Sequence, residues 1–161
     1  MIKILTKIDI QPILDFYITV KNNIIWDETI LKGKQTGIQY QEGADPWSSA
    51  VGRSKGDELS YDQLNPFYKG TIIETLINQF NLKRTRLMWA NPYTCYSMHK
   101  DTTPRIHIPM ITNPECYFVF KTGIIQHMPA GAVYWTDTTV PHTFMNCSNI
   151  SRLHLVGVVE Q

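Results

Sequence analysis

The chain has 161 residues, 43% of them hydrophobic, with 15 lysine and arginine residues against 14 acidic residues. That length is typical of one domain with a sizeable core, so we expect a single domain over residues 1–161. The nearly balanced charge and the lack of a basic run argue against a nucleic acid partner. No stretch approaches the roughly 18 apolar residues of a membrane span and the first residues do not resemble a secretory leader, so we expect a cytoplasmic protein with no membrane partner.

Residues 1–83 are predicted to form a part made of helices and loops. Asp9 can cap a first helix that begins near Pro12 and reaches the low twenties. A second helix is predicted after Asn65-Pro66, because apolar residues recur at helical spacing as far as Phe80 despite Gly70.

Residues 32–57, between these helices, are rich in glycine and polar residues. A loop of this length in a compact domain is commonly functional. Tyr40 and Trp47 would let it fold over a pocket, so we expect a lid that contributes these aromatic rings to substrate binding. The alternative is a surface strand and loop packed by the same rings.

From residue 84 onward the chain consists of short β-prone runs separated by turn signals. The predicted strands cover residues 85–90, 93–98, 105–111, 116–121, 132–136, 142–146 and 152–159. Seven short strands at this spacing favour a double-sheet jelly roll over residues 84–161. The predicted fold class is therefore mainly β with flanking helices: a double-stranded β-helix of the jelly-roll, cupin-like kind.

Two histidines and an aspartate in the second half form a candidate metal site. Alternate side chains of a strand share a face, so His99 and Asp101 can point inward together while Lys100 points out. His142 would complete a facial triad of two imidazoles and one carboxylate, which leaves coordination positions open. That pattern is typical of non-haem Fe(II) oxygenases. A His-x-Asp pair alone is more often part of a polar surface segment. The prediction rests on its combination with His142 and Arg152.

Arg152, ten residues after His142, opens an apolar strand and is expected to share a face with His154, Val156 and Val158. A guanidinium on an inward-facing position needs an anionic partner, and no acidic residue lies on that strand. A dicarboxylate ligand is the simplest candidate, because the guanidinium donates two parallel hydrogen bonds to a carboxylate.

The order of these residues resembles a known family. His99-x-Asp101, then Arg105-Ile-His107-Ile-Pro109, then His142 and Arg152 are similar to the motifs of the aspartyl/asparaginyl β-hydroxylases, and the resemblance covers roughly residues 84–159. It implies an Fe(II)- and 2-oxoglutarate-dependent dioxygenase that uses O2 to hydroxylate an unactivated C–H bond.

The resemblance also implies roles for individual residues. His99, Asp101 and His142 would bind iron, Arg152 would bind the distal carboxylate of 2-oxoglutarate, and Arg105 and His107 would lie beside this co-substrate. His107 could equally be a hydrogen-bonded core histidine, and Arg105 a surface arginine. Membrane-anchored animal members have glycine in place of the acidic ligand, so this chain, with Asp101, is more similar to the small soluble, proline-hydroxylase-like members.

The substrate is predicted only by class: an amino acid, a peptide or protein side chain, or another small polar metabolite. Aromatic residues that could line its pocket, besides Tyr40 and Trp47, are Trp89, Tyr93, Tyr96 and Trp135, although alternating aromatics on strands are more often core. Two other functions stay open: a cupin-like metalloenzyme that does not use 2-oxoglutarate, and a non-catalytic jelly-roll binding module. Arg152 favours the oxygenase over the cupin-like metalloenzyme, because its charge calls for a dicarboxylate co-substrate. The complete triad favours the oxygenase over the binding module.

Overall fold

The computed structural model describes residues 1–28 and 32–160. In these ranges the chain forms two α-helices, three short 3-10 helices and twelve strands. The strands are β1 (Ile2–Lys7), β2 (Gly33–Gly37), β3 (Gln39–Tyr40), β4 (Gln63–Leu64), β5 (Lys83–Ala90), β6 (Thr94–Cys95), β7 (Arg105–Ile111), β8 (Cys116–Phe120), β9 (Ile125–Gln126), β10 (Ala132–Thr136), β11 (His142–Asn146) and β12 (Arg152–Val158).

Most strands belong to two antiparallel sheets. The larger has the order β1-β10-β7-β12-β5-β2, and the smaller has the order β6-β11-β8-β9. Each sheet interleaves strands that are distant in sequence, as the long connections of a jelly roll require. The predicted fold class, a mainly β jelly roll, is confirmed.

The central strand β12 is buried along its whole length. Leu153 and Leu155 belong to the core between the larger sheet and the helices. Arg152 and Val156 lie on the opposite face and line a cavity between the two sheets. Alternation along one strand therefore separates a hydrophobic core from a polar pocket.

The predicted strands at 105–111, 132–136 and 142–146 match β7, β10 and β11. The predicted strand at 93–98 is shorter, since only Thr94–Cys95 is a strand and His99 pairs with His142 through an isolated bridge. Ile2–Lys7, which the sequence did not indicate as a strand, pairs with β10 at the edge of the larger sheet.

The first helix, α1, spans Gln11–Val20, close to its predicted position. Asp9 accepts a hydrogen bond from the backbone N–H of Gln11 at 2.9 Å. The second predicted helix is divided: a 3-10 turn covers Pro66–Tyr68, and α2 covers Ile72–Phe80. Gly70, with a φ of 73°, interrupts it, because a left-handed residue cannot continue a right-handed helix.

The prediction that residues 32–57 form one lid is wrong for the part that contains the strands and Trp47, where the alternative of a strand and loop packed by aromatic rings holds, while Gly52, Arg53 and Ser54 line the cavity. Gly33–Gly37 is a strand of the larger sheet, paired with β5. Trp47 packs against Phe67 and Tyr68, with ring centroids at 5.2 and 6.1 Å. Within the described ranges, no helix has both the length and the apolar character needed to cross a membrane.

Candidate active site

A cavity of about 540 Å³ lies between the two sheets. The larger sheet contributes mainly cationic and polar side chains, and the smaller sheet contributes Phe118, His142 and Phe144. The loop after β6 brings His99 and Asp101 to the same cavity. This volume suits a small ligand bound among a few polar groups.

The candidate metal ligands meet at this cavity. One ligand atom each from His99, Asp101 and His142 can be chosen so that all three lie within 4.8 Å of one another. His99 and His142 exchange two backbone hydrogen bonds of 2.9 Å, and the Asp101 N–H donates to the Thr138 carbonyl at 2.8 Å. The backbone thus places the three side chains together, as the sequence predicted for a facial triad.

Hydrogen bonds orient both imidazole rings for metal binding. His99 Nδ1 lies 2.7 Å from the Ser97 carbonyl, and His142 Nδ1 lies 2.9 Å from the Val140 carbonyl. A carbonyl only accepts, so each Nδ1 carries a proton, and in a neutral ring with this arrangement Nε2 has the lone pair that can bind a metal. Burial lowers the pKa of His142, which favours the neutral form that binds metal. Two imidazoles and a carboxylate fit a divalent transition metal such as iron.

Arg152 is buried at the inner part of the cavity. Its guanidinium lies 3.9 Å from the centroid of the Phe144 ring, and its Nη2 donates to His154 Nδ1 at 2.6 Å. It forms no ion pair with a carboxylate of the described residues, and its Nε has no hydrogen-bond partner there. Burial lowers the pKa of Arg152 to about 10, so the side chain is a cation at neutral pH that still lacks an anion.

His107 lies between the metal site and Arg152. It lines the cavity, stacks edge-on against Phe118 with centroids at 5.1 Å, and lies 3.5 Å from His154 through the two Nδ1 atoms. Burial lowers the pKa of His107 well below its ordinary value, and the neighbouring Arg152 lowers it further, so the ring is neutral. Within the described structure its buried Nε2 has no partner, which leaves this atom available to a ligand.

Arg105, expected beside the co-substrate, is held by protein carboxylates instead. Its Nη1 and Nη2 each donate to Glu58 at 2.8 Å, and its Nε lies 3.3 Å from Asp101 Oδ2. Arg84 also donates to Glu58. Burial alone would raise the pKa of Glu58, but the hydrogen bonds and charge of Arg105 outweigh it and lower that pKa to about 2.

Arg86 is the other buried cation of the cavity without an acidic partner among the described residues. Its Nη1 donates to the Gln35 side chain at 3.2 Å, and its Nε has no hydrogen-bond partner. Burial lowers the pKa of Arg86, and the positive charges of Arg84 and Arg105 lower it further. An anionic ligand would relieve both effects.

Of the six aromatic residues expected to line the substrate pocket, the structure brings only Tyr96 to this cavity. Trp89 packs on Trp26, and Trp135 packs against the core beneath the larger sheet. Tyr93 is 75% exposed. Tyr40 lies in a separate two-stranded sheet and Trp47 packs on Phe67, so neither reaches the cavity.

Four further residues line the cavity without having been expected there: Glu58, Arg84, Arg86 and Gln35. A signal was present for two of them, because Lys83-Arg-Thr-Arg86 places several cations at the start of an otherwise apolar strand. Arg84 and Arg86 are two residues apart on β5 and both line the cavity, and β5 has a β-bulge in the same part of the strand, with one extra residue opposite Val156 to Val158. Glu58 and Gln35 gave no such signal, since their partners come from distant parts of the chain.

Comparison with known families supports the resemblance seen in the motifs. Residues 19–161 match the family model for aspartyl/asparaginyl β-hydroxylases. An L-proline cis-4-hydroxylase of Rhizobium meliloti is 27% identical over 95 residues, which cover 55% of this chain. The aligned part covers only 34% of that relative, so the chain matches about a third of its length.

Solved structures show the same fold. An oxidoreductase of the 2OG-Fe(II) oxygenase family from Burkholderia pseudomallei aligns with a TM-score of 0.56 and 14% identity, covering 90% of this chain and 76% of its own. A Pseudomonas putida prolyl-4-hydroxylase aligns at 0.52 and 12%, covering 98% and 90%. A DMSP lyase from Ruegeria pomeroyi aligns at 0.55 and 12%, covering 98% and 67%. At these identities the likeness establishes the jelly-roll fold, which serves more than one chemistry.

Proposed function

Because this chain belongs to the aspartyl/asparaginyl β-hydroxylase family, we propose that it is an Fe(II)- and 2-oxoglutarate-dependent dioxygenase acting over the single domain of residues 1–161. Its substrate would be an amino acid or another small molecule with a carboxylate. One observation carries the proposal: a His-Asp-His triad, with each imidazole Nδ1 held by a backbone carbonyl, shares a cavity with a buried arginine that lacks an anion.

The triad supplies the metal site. His99 Nε2, His142 Nε2 and a carboxylate oxygen of Asp101 would hold Fe(II), which with 2-oxoglutarate and O2 would supply the oxidising chemistry. The protein's own contribution is position. The carbonyl groups of Ser97 and Val140 fix the two rings, and the apolar faces of Phe118 and Phe144 limit access of water to the cavity.

Arg152 is assigned to the distal carboxylate of 2-oxoglutarate. The Phe144 ring and His154 hold its guanidinium in one orientation, which lowers the entropic cost of binding. His107, with its free Nε2 between Arg152 and the triad, would contact the bound co-substrate. Arg105 is assigned to the support of Asp101 rather than to the co-substrate, because Glu58 already occupies its two terminal nitrogens.

Arg86 is assigned to a carboxylate of the substrate. On β5 it lies opposite Val156, four residues from Ala90, which lies opposite Arg152. Four residues of a strand span about 13 Å, so the two guanidinium groups originate at well-separated depths of the cavity. On β12, Val156 is two residues from Val158, which pairs with Arg105, so Arg86 lies toward the end of the cavity that holds Arg105 and Asp101. With this spacing, Arg152 would bind the co-substrate carboxylate and Arg86 would bind a separate carboxylate of the substrate.

The experiment is succinate formation from 2-oxoglutarate in air with added Fe(II), followed by NMR. The additives are the free L-amino acids, including L-proline, and their amides. We expect at least one free amino acid to stimulate succinate formation while its amide does not, and Arg86→Met to remove this stimulation. Stimulation by amides as strong as by the free acids would contradict the role of Arg86. No succinate under any condition would favour a metalloenzyme that does not use 2-oxoglutarate, or a binding module.

A further inference from the structure

Glu58 is a buried carboxylate that no part of the proposed reaction uses. It is 3% exposed and lies in the 3-10 turn Glu58–Ser60, forty-one residues before the first metal ligand in sequence. Its two oxygens accept hydrogen bonds from Arg84, Arg105, Thr102 and Thr103. Two of these four donors, Thr102 and Thr103, directly follow Asp101 in the chain.

Arg105 connects this carboxylate to the metal site. Its terminal nitrogens are paired with Glu58, while its Nε lies 3.3 Å from Asp101 Oδ2, the same oxygen that is 4.0 Å from His142 Nε2. Among the described residues, Glu58 and Asp101 are the two carboxylates within ion-pair distance of this guanidinium. Asp101 is therefore shared between a protein cation and the place where a metal would sit.

If Glu58 is removed, we expect the guanidinium of Arg105 to pair more closely with Asp101. Arg105 is 4% exposed, so without Glu58 it cannot recover its hydrogen bonds from water. Its remaining acidic neighbour is Asp101, and a two-pronged contact with Asp101 would occupy both of the oxygens that a metal needs.

We propose that Glu58 is a positioning residue for the metal site: it holds the terminal nitrogens of Arg105 so that Asp101 stays available as a ligand. This rests on the proposed function only in requiring that the triad binds a divalent metal. Through Thr102 and Thr103 the same carboxylate fixes the chain just after Asp101, so one side chain controls both the charge facing the ligand and the path of its loop.

The test measures metal affinity and requires no substrate. Calorimetric titration with Fe(II) under anaerobic conditions, repeated with Co(II), compares the wild-type chain with Glu58→Gln. Removing a group that orients a ligand commonly weakens metal binding 10–100-fold, and we expect a loss in that range. Circular dichroism checks that the variant is folded, and Glu58→Asp, which shortens the carboxylate, replaces it if it is not.

A second substitution separates positioning from general electrostatics. Adding Arg105→Gln to Glu58→Gln removes the competitor for Asp101 and should restore the affinity to within about threefold of Arg105→Gln alone. Adding Arg84→Met instead is the matched control, because it removes an equal charge from the same carboxylate but leaves Arg105 free to capture Asp101. We expect no restoration there.

The outcomes are distinct. Unchanged affinity in Glu58→Gln, or equal restoration by the Arg105 and Arg84 substitutions, would overturn the positioning role. A wild-type chain that binds no metal would instead overturn the proposed function.

Discussion

Arg152 and Arg105 have opposite electrostatic surroundings in one cavity. Arg152 has an aromatic ring and a neutral histidine beside it, whereas Arg105 has two carboxylates. A cation that the protein already neutralises has little left to offer an anionic ligand. The difference supports the proposal that Arg152 binds the anionic ligand and that Arg105 supports Asp101.

The role of Arg152 can be tested by changing the shape of its charge. Arg152→Lys keeps the cation but loses the two-pronged donor geometry, so we expect 2-oxoglutarate binding to weaken by about 1.5–3 kcal/mol. Metal affinity should stay unchanged, because Arg152 does not contact the triad. Titration of the metal-loaded variant with 2-oxoglutarate measures this, and equal affinity in both proteins would make Arg152 a structural residue.

At the scale of single residues the sequence predicted which three side chains meet, because two histidines and an aspartate in this order are distinctive, although only His142 lies on a strand and His99 and Asp101 lie in the loop after β6. It also predicted the shared face of Arg152, His154 and Val156, which follows from strand alternation. It could not predict that Glu58 pairs with Arg105. That contact joins positions forty-seven residues apart, and a lone acidic residue in a polar segment has no pattern that reveals its partner.

At the scale of secondary-structure elements, the glycines of residues 32–57 led to a wrong prediction of a mobile loop. Glycine suggested hinge motion, but Gly33 and Gly37 are in a strand whose neighbours approach closely. A Cβ at Gly33 would lie 1.8 Å from the Trp89 carbonyl oxygen, and one at Gly37 would lie 2.6 Å from the Pro46 carbonyl oxygen. These glycines permit close packing of backbone, which sequence alone does not distinguish from flexibility.

This reading predicts the effect of one added methyl group. Gly33→Ala should destabilise the protein by about 3 kcal/mol, because the clash is with backbone that cannot move aside locally. Gly43→Ala is the comparison: nothing lies within 4 Å of its Cβ, and the strain of its φ of 76° should cost only about 1 kcal/mol. Urea unfolding measures both, and equal losses would argue that Gly33 lies in a loosely packed loop.

The division of the second helix has a similar local cause. Apolar periodicity continued through residues 66–80, but Thr71 begins a new helix by accepting a hydrogen bond from the Ile73 N–H. Apolar periodicity shows which side chains face the core. It cannot reveal a turn after which the apolar side chains still face the core. The bounds of β7, β10 and β11 were predictable because turn residues flank them.

At the scale of the whole molecule, the cavity between the two sheets is lined by several buried charged side chains. Two sheets enclose Arg84, Arg86, Arg105 and Arg152 with only Glu58 and Asp101 to balance them among the buried or half-buried lining residues. The folded state therefore depends on the ionisation of Glu58, whose pKa is lowered in this surrounding.

The buried network should make stability fall in acid. The pKa of Glu58 is lowered from 4.5 to about 2 by Arg105, against the opposing effect of burial. A lowered folded-state pKa contributes stability that is fully present above pH 4.5 and is lost as the pH falls toward 2, with a magnitude of about 3 kcal/mol. Unfolding free energies at pH 7 and pH 3 should differ less for Glu58→Gln than for the wild type. The same pH dependence in both would mean that Glu58 is not the group responsible.

The most direct test of the proposed chemistry is an anaerobic titration of the Fe(II)-loaded protein with 2-oxoglutarate, recorded as visible absorption. Chelation of a 2-oxo acid to Fe(II) produces a metal-to-ligand charge-transfer band. We predict a band that saturates at one 2-oxoglutarate per chain and is absent in Asp101→Ala. It should require higher 2-oxoglutarate concentrations in Arg152→Lys. A wild-type protein that binds Fe(II) but shows no band, or a band that persists unchanged in Asp101→Ala, would contradict a 2-oxoglutarate-dependent oxygenase built on this triad.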